Sequence, residues 1–179
     1  MAVVLGYLAL TRFQDEPAAT SFRPTFALPD ETGTVRTSGE FQGKHLLVFF
    51  GFTNCPDVCP TTMMEVAEVM DVLGSDADEV QPLFISIDPE RDRALGLTEY
   101  VTAFHPSILG LAGDDAATRT TAESFKIFYD RDADANAPDG YTMSHSPALY
   151  LVGPNGDWLR QYSYGTPAQE ILDDLKGRL

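Results

Sequence analysis

The chain has 179 residues, 27 acidic against 12 basic side chains, and a formal net charge of -15 at neutral pH. A hydrophobic content of 44% supports one domain with a full core and excludes general disorder. So few Lys and Arg leave little counterion release to gain on phosphates, which argues against nucleic-acid binding and against adsorption to an anionic membrane surface. In chain order, the segment from Met1 to Leu10 is apolar, shorter than the roughly 20 residues a spanning helix needs, and without the basic start of a signal peptide. Residues 1–12 are therefore expected to be a hydrophobic tail or part of a membrane anchor. Residues 13–23, polar and containing Pro17, read as a linker, and residues 24–179 as one domain. Thr25–Leu28 and Thr34–Arg36 around Pro29–Gly33 predict a hairpin. The apolar run His45–Phe52 predicts a strand buried on both faces. From Pro60, the spacing of Met63, Val66, Ala67, Met70 and Leu73, with Glu65, Glu68 and Asp71 opposite, predicts an amphipathic helix stopped by Gly74. Val80–Ile87 reads as a second buried strand, Leu95–His105 as a helix ended by Pro106, and Ile108–Leu111 as a short strand. Asp114 and Asp115 cap a helix running to about Phe125, and Asp130–Gly140, with four Asp and one Pro, reads as a loop. Ala148–Val152 and Trp158–Tyr162 form a hairpin around Gly153–Gly156, and Pro167 opens a last helix carrying Ile171, Leu172 and Leu175.

The resulting order, β-α-β-α-(β)-α-β-β-α, is the layout of a thioredoxin-like α/β fold: a central mixed sheet flanked by helices, here with an N-terminal β-hairpin extension. In that fold Pro147 is a candidate for a cis peptide bond, as at the matching place in thioredoxins.

Chemistry centres on the two cysteines, Cys55 and Cys59, where the first buried strand ends and the first helix begins. A helix N-terminus favours the thiolate, which is both the nucleophile of disulfide exchange and a soft metal ligand. Two Cys are too few for a disulfide framework or for a structural zinc site made of Cys alone. On a helix, a spacing of four separates Cα atoms by about 6 Å, near the upper end of the disulfide range, so an internal disulfide needs local distortion and is reducible. The same spacing suits two thiolates on one ion; Cu(I) is soft, accepts few ligands, and takes thiolate and imidazole alike.

A third ligand is sought among the histidines. His45, beside Lys44, reads as an exposed turn residue, and His105, before Pro106, as a helix C-terminal cap. His145 precedes the strand Ala148–Val152, in a loop that a thioredoxin-like sheet turns toward the cysteine end. Met63 and Met64 fit the helix, and Met143 is a weak soft-ligand candidate. Asp88, Arg91 and Asp92 read as a loop-fixing ion pair and turn. A peroxidase of the same fold would need a peroxide-binding Thr and Arg, a pocket that Thr53 and Arg91 do not obviously supply.

Gly51-Phe-Thr-Asn-Cys-Pro-Asp-Val-Cys-Pro60, Ile85-Ser-Ile-Asp-Pro-Glu-Arg-Asp92 and Ser144-His-Ser-Pro-Ala-Leu-Tyr-Leu-Val-Gly-Pro154 resemble the three signature segments of the Sco/SenC copper chaperones, across residues 22–178. The resemblance implies one copper ion, Cu(I) or Cu(II), on Cys55, Cys59 and His145, with Cys55 and Cys59 as a redox pair where they are active. It implies a role in assembling the dinuclear copper site of cytochrome c oxidase, by handing over copper, by reducing that site's cysteines, or both. The implied partners are the copper-bearing oxidase subunit, another copper chaperone and a thioredoxin-like reductant. The implied location is the bacterial cytoplasmic membrane, held only through the N-terminal anchor, with the domain facing the periplasm or cell exterior. Many members carry His before the first Cys; this chain has Asn54. The alternative reading is a metal-independent thiol–disulfide oxidoreductase.

Overall fold

The computed structural model describes residues 21–179. The expected tail or anchor, residues 1–12, and residues 13–20 of the expected linker lie outside the described residues. The first strands, β1 (Ala27–Pro29) and β2 (Val35–Thr37), pair antiparallel as the expected hairpin. Its turn is closed by Asp30, whose carboxylate accepts the backbone N–H groups of Thr32 and Thr34.

Strand β3 (His45–Gly51) is buried at every residue. It is the middle strand of a five-stranded mixed sheet with β4 (Val80–Ser86), β5 (Leu109–Leu111), β8 (Ala148–Val152) and β9 (Trp158–Ser163), in the order β5-β4-β3-β8-β9. The β3–β4 and β4–β5 pairs are parallel, and β3–β8 and β8–β9 antiparallel. Continuous apolar composition follows from that position, because both faces are covered. On one face, Phe49, Gly51 and Phe84 meet Cys59 of helix α1 (Val58–Leu73). On the other, Phe50 packs edge-on to Phe125, at the end of α4 (Asp115–Ser124), and to Tyr150. Helix α5 (Ala168–Lys176) buries Ile171, Leu172 and Leu175 and packs against α1. The α/β architecture with helices on both faces is as expected.

The expected helix Leu95–His105 is shorter, α3 (Leu97–Thr102), and the stretch before it, expected as a turn, forms another short helix, α2 (Pro89–Leu95). Gly96 separates them at φ 80°, a left-handed conformation that glycine takes without the Cβ penalty. The expected loop Asp130–Gly140 holds strand β6 (Tyr129–Ala133), which pairs antiparallel with β7 (Tyr141–His145). This hairpin stands apart from the main sheet, and its β6 residues 130–133 are exposed, so the alternation that marks a half-buried strand is missing. Helix α1 starts at Val58, two residues before Pro60, which puts Cys59 in its first turn. His45 is buried, and burial lowers its pKa. The Ser146–Pro147 bond is trans, since no peptide bond among the described residues is cis.

Candidate metal centre

The loop after β3 turns tightly, with the Cys55 N–H donating to the Phe52 carbonyl at 3.2 Å. Four residues on, the Cys59 N–H donates to Cys55 Sγ at 3.4 Å. Cys55 is partly exposed and Cys59 fully buried, and both are free thiols. Gly51 makes room for Cys59: a Cβ there would lie 2.9 Å from its Sγ and 2.8 Å from the Phe49 ring.

The two sulfurs titrate apart. Hydrogen bonding from Cys59 is the largest influence on Cys55 and brings it down to about 4; His145 and the N–H groups of Asp57 and Cys59 add to this, and burial opposes it. Cys59 is pushed far up, first by its bond to Cys55, then by burial and the Cys55 charge. The metal-free pair therefore holds one proton, on Cys59, and presents a thiolate at Cys55.

His145 closes β7. Its Nε2 lies 3.9 Å from Cys59 Sγ, and its Nδ1 lies 3.1 Å from the Ser146 carbonyl. A carbonyl can only accept, so Nδ1 carries a hydrogen, and Nε2 is the ring nitrogen turned to the thiols. Phe49 and Phe52 meet the imidazole edge-on, at 5.8 and 6.2 Å between ring centres. Among the described residues no three His, Cys, Asp or Glu side chains are already closed into a metal cage. Cys55, Cys59 and His145 are gathered at one place with soft and borderline donors, a set that fits copper once Cys59 loses its proton.

The other candidates lie elsewhere. His105 lies beyond the end of α3; its Nδ1 is 2.7 Å from the Ser107 hydroxyl and its Nε2 3.5 Å from Asp71. Met63 and Met143 are buried in the core, and Met64 is exposed. Arg91 and Asp88 form the expected ion pair, with Arg91 Nε donating to Asp88 Oδ2 at 2.6 Å. Asp92 does more than fix a turn: its buried carboxylate accepts the Thr53 N–H at 2.9 Å, the Thr53 hydroxyl at 2.7 Å and the Ser86 hydroxyl at 2.6 Å. That ties the cysteine loop to α2. Tyr141, whose hydroxyl lies 3.1 Å from both oxygens of Asp88, was not singled out by the sequence, because it follows an Asp-rich stretch with no apolar period.

A family model described as SCO1/SenC matches residues 14–179. A SCO2-like protein of Rickettsia felis is 36% identical over 152 residues, covering 85% of this chain and 74% of that protein. The structure of Bradyrhizobium japonicum ScoI with copper bound matches at 35% identity and a TM-score of 0.79, covering 89% of this chain and 100% of that one. The solution structure of apo Sco1 from Thermus thermophilus matches at 35% identity and a TM-score of 0.80, covering 90% and 94%.

Proposed function

The chain belongs to the SCO1/SenC family, and from that premise we propose that it is a copper metallochaperone. It binds one copper ion, Cu(I) or Cu(II), through Cys55 Sγ, Cys59 Sγ and His145 Nε2, and helps assemble the dinuclear copper site of cytochrome c oxidase. The observation that carries this reading is the approach of His145 Nε2 to Cys59 Sγ at 3.9 Å, with Nδ1 engaged by the Ser146 carbonyl. Disulfide exchange needs no imidazole there, whereas a third ligand does. The copper bound by the Bradyrhizobium japonicum relative supports the identity of the cargo.

Cys55, ionised and partly exposed, is the thiolate that meets an incoming ion first. Cys59, buried and protonated, gives up its proton on loading, so uptake releases a proton. The client in this reading is the copper-bearing oxidase subunit, with another copper chaperone and a thioredoxin-like reductant as suppliers. Residues 24–179 form the copper-binding domain, and residues 1–12, with the apolar segment Met1–Leu10, belong to its attachment to a bacterial cytoplasmic membrane, the domain facing the periplasm or cell exterior. Among the described residues no helix is long and apolar enough to cross a membrane.

One observation favours the alternative, a metal-independent thiol–disulfide oxidoreductase: a thiolate at Cys55 beside a thiol at Cys59 is an attacking and resolving pair. Stoichiometric copper titration of the reduced protein separates the two. One copper per chain is expected for the wild type, loss of tight binding for Cys55→Ala and Cys59→Ala, and weakened binding for His145→Ala, most for Cu(II). Copper binding unchanged in His145→Ala sinks the three-ligand reading.

A further inference from the structure

Helix α2 stands between the two halves of the candidate site. Asp92, within it, holds Thr53 two residues before Cys55. Asp88, which precedes its first turn, and Arg91 within it hold Tyr141 on the hairpin that ends in His145. The Tyr141 ring lies between two guanidinium groups, 4.0 Å from Arg91 and 4.2 Å from Arg131, while its hydroxyl bonds the Asp88 carboxylate. The Arg91 side chain is 8% exposed, and its Nη1 finds no hydrogen-bond partner among the described residues. Asp88 and the Tyr141 ring are thus what keep that buried cation in place.

Strand period two puts Tyr141, Met143 and His145 on one face of β7. Tyr141 bonds Asp88, Met143 enters the core, and His145 reaches the thiols. The β6–β7 hairpin pairs with no strand of the main sheet. Its place is set at the His145 end by Met143 in the core and by Phe49 and Phe52 against the imidazole, and at the far end by Tyr141.

We propose that Tyr141 is a positioning residue for His145. The Asp88–Asp92 segment is the common base from which the thiols, through Thr53, and the imidazole, through Tyr141, are held in register. The consequence for copper rests on the reading of His145 as a ligand; the mechanical part does not. Cu(II), which depends on the imidazole more than Cu(I) does, is the oxidation state that loses most when the hairpin is released.

The test uses the full chain with Tyr141→Ala, Tyr141→Phe and Arg131→Ala. In the reduced, metal-free protein, amide hydrogen exchange at Met143–His145 is expected to rise at least about thirtyfold in Tyr141→Ala, the lower limit of what one charge-assisted hydrogen bond plus cation–π stacking is worth. Strands β3 and β4 are expected to exchange at the wild-type rate. Tyr141→Phe keeps the stacked ring and is expected to fall in between. With equimolar Cu(II), the imidazole nitrogen signature in paramagnetic resonance is expected to weaken and the Kd to rise about tenfold in Tyr141→Ala, in line with other residues that orient a ligand; Cu(I) affinity is expected to change less. Arg131, 53% exposed, can be removed without opening the core. Arg131→Ala therefore decides the matter if Tyr141→Ala does not fold, and the same direction is expected. Wild-type exchange at Met143–His145 overturns the proposal, and so does faster exchange with an unchanged Cu(II) signature and affinity. An unchanged Cu(II) signature in His145→Ala removes the ligand reading instead, and leaves the exchange result standing.

Discussion

At the scale of residues, the arrangement works by giving two like groups opposite protonation. In the folded protein Cys55 falls to about 4 because Cys59 donates to it, with help from His145 and two backbone N–H groups; Cys59 rises because it donates to and sits beside that anion in a buried place. The depressed Cys55 adds stability that is present in full above the ordinary thiol pKa of about 8.5 and is lost as the pH falls toward 4. The raised Cys59 adds stability that is complete below the ordinary thiol pKa and is lost at higher pH. Between those limits Cys55 is the one cysteine whose contribution changes, and buried His45, its pKa lowered, works in the same direction, so the stability of the reduced, metal-free protein should rise with pH across that window, and Cys55→Ala should lessen the rise. Ultraviolet thiolate absorbance with parallel urea denaturation measures both. One thiolate per chain is expected by about pH 6, and its absence below the ordinary thiol pKa contradicts the assignment. Both cysteines and His145 were legible as residues, since their spacing and place beside predicted strands are local facts. Their division of labour was not, because it depends on which sulfur the fold buries.

At the scale of elements, the stretch after β4 shows how one residue redirects a chain. Leu95, Leu97, Val101 and Phe104 supply enough apolar period to suggest one helix, yet Gly96 at φ 80° ends α2 and lets α3 start in a new direction against β5. That break frees α2 to serve the site through Asp88, Arg91 and Asp92. Gly96→Ala places a Cβ in the left-handed region and should cost about 1–2 kcal/mol. Its one close contact, Glu99 Oε2 at 2.6 Å, is the end of a flexible side chain and can move away. Chemical denaturation checks the cost, and wild-type stability would show that the break tolerates an ordinary residue. The β6–β7 hairpin escaped the sequence for the opposite reason: it is a polar arm whose strand character comes from pairing rather than from a buried face.

At the scale of the whole molecule, the sheet brings together groups 86 residues apart, Cys59 at the start of α1 and His145 at the end of β7. Copper binding to that assembled place stabilises the folded state by mass action, about 2.7 kcal/mol when free copper is a hundredfold above Kd, or roughly 5–10 °C in Tm for a chain of this size. The reduced wild type should show that rise. The oxidised protein should not, because an internal Cys55–Cys59 disulfide removes two ligands together. Scanning calorimetry on reduced and oxidised samples, with and without copper, is the measurement. An equal rise in the oxidised protein would place the metal elsewhere.

Local sequence carried the α/β class, the buried strands β3 and β4, the helix from Pro60, the hairpin at the N-terminal side and the three residues offered as ligands. Apolar runs, the 3.6 period, glycine stops and the Cys spacing are all written within a few neighbouring residues. Tertiary structure alone decided that His45 is buried, that α2 and α3 part at Gly96, and that an Asp-rich stretch pairs as a hairpin. It alone decided that Asp92 holds Thr53 while Tyr141 spans Arg91, Arg131 and Asp88. The Gly96 break and the β6–β7 pairing are local but run against the apolar pattern around them, whereas the others join segments far apart in the chain, and burial and ion-pair geometry have no local signature until the sheet has set the distances.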